Sequence, residues 1–157
     1  MMLRRIVVAG ACLLVLSASP AAFASDQSDV LHRMQQTIDE ANRSIDPPKL
    51  AVNFTQSVVL VDDLAPFVFT GAAEDALSTW TKAYEDDAEQ TGVTNFSMQL
   101  LKPRQIEVND THAYIVLPAV YHFKQHNKAS RERGVITATL EKVNGTWLIS
   151  TWSWAGE

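Results

Sequence analysis

The sequence predicts an α+β domain, with amphipathic helices on one face of a curved antiparallel sheet. Three observations lead there. Apolar residues recur at helical spacing over Val30–Ile45 and again over Ala73–Tyr84. Segments of strand character fill most of the chain after Gly92. Within them Asn144-Gly145, a strong short signal for a tight hairpin because both residues tolerate positive φ, joins two long strands. Three of the four tryptophans, Trp147, Trp152 and Trp154, lie on the last of these strands. Most of the aromatic area able to drive burial therefore sits on this ribbon, and the other elements must cover it.

Taken in order, the chain opens with Arg4 and Arg5, an apolar run from Ile6 to Leu16, and Ala22-Phe23-Ala24. A positive start, a run too short to span a bilayer and an A-x-A cleavage signal read as a secretory signal peptide over residues 1–24. Cys12 could alternatively be a lipoprotein acceptor, but its apolar lead is very short. Residues 25–157 are then one domain, exported to the periplasm or the exterior after cleavage near Ala24, with no membrane span of its own. Ser28 is placed to cap the first helix, whose apolar stripe is Val30/Leu31, Met34, Ile38, Ala41 and Ile45. Asp46-Pro47-Pro48 stops it. Ser57–Val61 is a β-branched strand ending at Asp62-Asp63, and Leu64-Ala65-Pro66 turns the chain into a short strand at Phe67–Phe69. Thr70 is expected to cap a second helix carrying Ala73, Leu77, Trp80 and Tyr84, which Gly92 ends.

Phe96, Met98 and Leu100 share one face of the next strand, which Pro103 must bend or interrupt. Ala113–Phe123 is apolar on both faces and reads as a central, covered strand. Lys124–Arg133 reads as a polar loop. On the last strand, period-two alternation puts Trp147, Ile149, Thr151 and Ser153 on one face and Leu148, Ser150, Trp152 and Trp154 on the other. Trp147 is expected in the core, and one of Trp152 and Trp154 on the outer face or a dimer interface.

Composition narrows function by exclusion. The 133 residues left after cleavage contain no cysteine, because Cys12 leaves with the leader. Disulfides, a thiol nucleophile and cysteine metal ligands are thereby excluded. The formal charge is −5 for the whole chain and −7 without Arg4 and Arg5. An acidic domain argues against nucleic acid as a partner, since neutralising phosphates needs clustered Lys and Arg. His122-x-x-x-His126 would place both rings on one face of a helix, but on a strand the two lie about 13 Å apart, too far to share an ion. No metal and no cofactor are expected. No G-x-S-x-G and no glycine-rich phosphate loop occurs.

The order of elements, the strand end Val61-Asp62-Asp63 followed by Pro66 and Gly71, Trp80 on the second helix, and the closing run Asn144–Trp154 with its G-x-W-x-I pattern together resemble the nuclear transport factor 2-like superfamily. Within it, the SnoaL-like and ketosteroid-isomerase-like group is the nearest in pattern. The resemblance covers nearly all of residues 25–157. It implies a cystatin-like cone, in which a strongly bent antiparallel sheet wraps two to three N-terminal helices and leaves an apolar pocket at its open end. Phe67, Phe69, Trp80, Tyr84, Met98, Tyr114, His122, Thr139, Thr151 and Ser153 are expected to line that pocket. It also implies a possible homodimer through the sheet's outer face, and the doubly apolar strand at 113–123 independently asks for a cover.

Asp62 is the sharpest chemical candidate. By the resemblance it stands where the isomerase-like enzymes carry their catalytic carboxylate. In an apolar pocket mouth its pKa would rise, and it could take a proton alpha to a carbonyl. The plain alternative is a strand end, a position Asp occupies routinely. The usual oxyanion donors do not match: the first helix has no Tyr, and the late-strand position holds Thr139 in place of an acid. Tyr84, Tyr114 or Tyr121 could substitute. Three functions stay open at this level. The first is a non-catalytic exported module binding a small apolar molecule or a protein partner. The second is an isomerase, cyclase or dehydratase with Asp62 as general base. The third is an envelope assembly component acting through the outer face.

Overall fold

The computed structural model describes residues 20–157, with side chains from Ser25 onward. The leader and its cleavage signal, including Cys12, lie outside the residues whose side chains are described. Three helices and seven strands follow: α1 (Pro20–Arg43), α2 (Pro47–Leu50), β1 (Phe54–Val61), β2 (Val68–Ala72), α3 (Ala73–Thr91), β3 (Val93–Leu100), β4 (Gln105–Val108), β5 (His112–Gln125), β6 (Lys128–Val143) and β7 (Thr146–Gly156), with a single 3₁₀ turn at Ala51–Asn53. The strands form one sheet in the order β2-β1-β7-β6-β5-β3, with β4 also paired to β5. All pairings are antiparallel except β1 with β7, which is parallel. That junction is the crossover that brings the N-terminal hairpin β1–β2 alongside the C-terminal strand. No helix among the described residues is long and apolar enough to cross a membrane.

The helices fill the concave side. Val30, Met34 and Ile38 of α1 are buried at the expected spacing, as are Ala73, Ala76 and Leu77 of α3. They meet Ile115, Leu117 and Ala119 of β5, Ile136, Ala138 and Leu140 of β6, and Trp147 and Ile149 of β7. Trp147 is 3% exposed and belongs to this core. The narrow end is tied by polar contacts. Lys142 reaches Asp26 at 2.6 Å, Trp147 Nε1 donates to the same carboxylate at 3.3 Å, and Arg33 donates to the Trp147 carbonyl at 2.7 Å and to Asn53. Asn53, wholly buried, in turn donates to Glu40 at 2.5 Å. The Lys142 ammonium beside it holds the Asp26 carboxyl below the usual range.

Four local expectations are corrected. Helix α1 runs continuously through Ser25–Ser28, so Ser28 lies inside it and does not cap it. Thr70 lies in β2, and the N-cap of α3 is Ala72, which makes no side-chain cap bond. Gly92 does end α3, in the left-handed region at φ 71°. The polar stretch 124–133 is not a loop: β5 and β6 run on through it and turn at His126-Asn127, both at positive φ. Its polarity reflects a ribbon that extends beyond the core and is largely exposed, Ser130 and Glu132 excepted. Pro103 falls in the gap between β3 and β4, which share β5 as partner and so act as one interrupted strand.

The fourth correction matters most. Between β6 and β7, Thr139 opposes Thr151 while Leu140 opposes Ile149, so Ser150 is an extra residue, a β-bulge. Beyond it the alternation reverses. Trp147 and Ile149 face inward before the bulge, and Trp152 and Trp154 face inward after it, opposite Ala138 and Ile136. Thr151 turns outward instead. The bulge is held by hydroxyls: Thr139 Oγ1 lies 2.9 Å from Ser150 Oγ and 2.7 Å from Thr151 Oγ1, and the Thr139 amide donates to Thr151 Oγ1 at 3.2 Å.

Candidate functional site

The bulge and the bend leave a cavity of about 310 Å³ at the wide end of the cone, between α1, α3 and the inner face of the sheet. That is near the lower limit of the usual range for small-molecule sites, roughly 300–1,000 Å³. Its floor is aliphatic, with Ile38, Leu60 and Leu77. Asn42 secures one wall, donating to the Met98 carbonyl at 2.8 Å and accepting from the Met98 amide at 2.7 Å, which fixes α1 to β3.

Aromatic rings form a continuous belt around this space. Trp80 stacks on Tyr84 at 5.8 Å between centroids, Tyr84 meets Phe96 edge-on at 5.2 Å, Phe96 lies 6.2 Å from Tyr121, and Tyr121 stacks on Phe123 at 4.9 Å. Trp152 and Trp154 of β7 line the same space. Trp154 reaches its place by lying across Gly134, where a Cβ would sit 2.5 Å from the indole Cζ2. The Tyr84 and Tyr121 hydroxyls are 2.9 Å apart. Burial raises both phenols above their ordinary pKa, and the adjoining hydroxyl raises Tyr121 further. Both stay protonated at neutral pH. In such a pair only one proton is spent between the oxygens, which leaves the other free to be donated.

Carboxylates gather at the same mouth. Asp62, at the end of β1, accepts from Trp80 Nε1 at 2.9 Å and more weakly from the Leu64 amide at 3.4 Å. The turn that follows is closed by Phe67 N to Leu64 O at 2.7 Å and Asp62 N to Phe67 O at 3.0 Å. Burial pushes the Asp62 pKa up to about 6, with the Asp63 carboxylate adding to the rise and Trp80 opposing it. Glu132 on β6 is also raised, by burial first and Asp63 second. Asp87 of α3 completes the set. Among the described residues the lining contains no Lys, Arg or His, and none of these four carboxylates has an ion-pair partner.

The expected lining residues divide sharply. Asp62, Trp80, Tyr84 and Met98 lie on this cavity. Phe67 is corrected: it sits in the β1–β2 turn at positive φ and is 57% exposed. Phe69 is corrected too, being buried in the core away from the cavity. Tyr114 and His122 have the opposite parity to Tyr121 and Phe123 on β5 and face the outer side. Thr139 and Thr151 line, with Tyr114, a larger and more open hollow of about 650 Å³ on that outer face. Ser153 lines neither space. Trp152 and Trp154, one of which was expected on the outer face, both line it, and so do Phe96, Tyr121, Phe123 and Glu132, which were outside the expected set. Parity along β5 and β3 was enough to find Phe96 and Phe123, whereas the tryptophans depend on the bulge.

No family model matches the sequence, and no curated protein matches it either. Solved structures do match in shape. A ketosteroid isomerase-like protein from Erwinia carotovora atroseptica superposes with a TM-score of 0.64 at 12% identity, over 83% of this chain and 95% of the other. An NTF2-like protein with a cystatin-like fold from Novosphingobium aromaticivorans gives 0.69 at 9%, over 87% and 84%. A nuclear transport factor 2 superfamily protein from Salmonella enterica serovar Typhimurium gives 0.66 at 13%, over 85% and 92%. The chain thus shares the cystatin-like fold of these structures, as its strand order and closing ribbon led one to expect.

Proposed function

We propose that the protein binds a small, largely apolar molecule in the cone, and that it does so as an exported domain once residues 1–24 are removed. One observation carries the reading: a hollow of about 310 Å³ at the wide end of the cone is lined by aromatic rings from α3, β3, β5 and β7. The outer face, with Val59 and Tyr114 partly exposed, is the surface proposed for self-association. Native mass spectrometry of protein purified from its own envelope fraction tests these points together. The expected result is a chain beginning near Ser25, a dimer mass and a retained small-molecule adduct. A ligand-free species that also fails to take up apolar probes refutes the binding reading.

A second reading has its own support. Asp62, with a pKa of about 6, shares the cavity with the Tyr84–Tyr121 pair, which offers a base and a hydroxyl donor in one apolar space. The likeness to a ketosteroid isomerase-like structure points the same way. Asp62 would take a proton alpha to a carbonyl while a tyrosine hydroxyl donates to the developing oxyanion. Exchange of alpha protons of cyclic ketones for deuterium, followed by NMR, tests it. Catalysed exchange that disappears in Asp62→Asn supports the enzyme, and no catalysis by the native chain removes it.

A further inference from the structure

The cavity's charge is as one-sided as its shape is apolar. Four carboxylates, Asp62, Asp63, Asp87 and Glu132, stand at the mouth of an aromatic enclosure whose described lining holds no cation. We propose that the ligand is an organic monocation, a protonated amine or quaternary ammonium with an apolar body. This deepens the binding reading above and rests on it.

Two independent features of the site ask for such a ligand. The first is desolvation. A neutral apolar guest would strip water from Asp62 and Glu132, which are already partly buried and have no protein cation beside them. Burying unpaired charge is costly, and a guest that brings a positive charge removes the penalty. The second is the rings. Trp80, Tyr84, Tyr121 and Trp154 border the same space as the carboxylates. Aromatic faces attract cations, most strongly where water is excluded, and enclosures of several rings suit diffuse ammonium groups too large to be held by a single hydrogen bond. The geometry of the sheet places the acids to match. Glu132 opposes Tyr121 across β5–β6, and its carboxylate lies over Gly156, where any Cβ would collide with it. Glu132 therefore stands at the same mouth as Asp62 and Asp63. The same field repels carboxylates and phosphates, so fatty acids and nucleotides are poor guests.

The test compares two probes of nearly the same shape, benzyltrimethylammonium and its neutral carbon isostere neopentylbenzene, by quenching of intrinsic tryptophan fluorescence at low ionic strength. The expected result is binding of the cation at least roughly tenfold tighter than the isostere, as one desolvated cation–π contact alone supplies. The preference should shrink in Glu132→Gln and in Asp63→Asn. Asp63 is exposed, so that variant should fold even if the other does not. Equal affinity for both probes, or binding of the neutral probe alone, overturns the cation inference and leaves the apolar pocket standing. Binding of neither probe overturns the pocket and this inference together. A preference unchanged in both variants also overturns it, because the carboxylates would then not be its cause.

Discussion

Asp62→Asn should stabilise the protein at neutral pH and not in acid. In the folded chain burial and Asp63 lift the Asp62 pKa from 3.8 to about 6. A raised carboxyl means that the native state holds a proton more tightly than the unfolded state does. Its contribution is therefore fully favourable below pH 3.8 and is lost as pH climbs through 6. At about 1.4 kcal/mol for each pH unit, the loss from 3.8 to 6 amounts to about 3 kcal/mol. An asparagine keeps an oxygen for the Trp80 indole N–H, now 2.9 Å from the carboxylate, and carries no charge to desolvate. The stability of Asp62→Asn relative to the native chain should thus rise by about 3 kcal/mol between pH 3.5 and pH 7, or roughly 10 °C in midpoint for a domain of this size. Urea melts followed by circular dichroism at half-unit pH steps measure it. Taking the difference between the two proteins cancels other groups, notably Asp26, whose lowered pKa works in the opposite sense. A difference flat in pH, or one that falls as pH rises, would show that Asp62 is solvated in the native state and would remove the basis for treating it as a buried carboxylate.

Trp147→Ala should cost about 3–5 kcal/mol, because the ring is almost wholly buried between α1 and the β6–β7 hairpin; a loss under 1 kcal/mol in urea melts would place it outside the core. Gly134→Ala should cost about 1–3 kcal/mol, since the added methyl meets the Ala155 carbonyl at 2.5 Å as well as the Trp154 ring. Its near-ultraviolet circular dichroism should change while the far-ultraviolet spectrum does not, and an unaltered aromatic spectrum would mean that Trp154 does not cross Gly134.

The sequence alone determined much of the scaffold. Helical spacing located the buried stripes of α1 and α3, Gly92 and Asn144-Gly145 marked chain reversals, and Pro103 marked the break between β3 and β4. Trp147 could be placed in the core because it follows a hairpin turn closely, and few residues separate a known reference from the inference. Asp62 could be singled out only through the resemblance of its position to that of the catalytic carboxylate in isomerase-like enzymes. What period-two reasoning could not survive is an inserted residue. Ser150 bulges, and everything beyond it changes face, so Thr151 and Ser153 were read as pocket residues when Trp152 and Trp154 hold that place. Nothing local to Ser150 announces this. The bulge is stabilised by hydroxyls of Thr139 on the neighbouring strand, eleven residues away in sequence, and by the parallel partner β1, whose Leu60 and Val61 pair with Trp152 and Ser153. Which side of a strand meets the core is a property of the sheet's hydrogen bonding, and those partners exist only once the chain has folded.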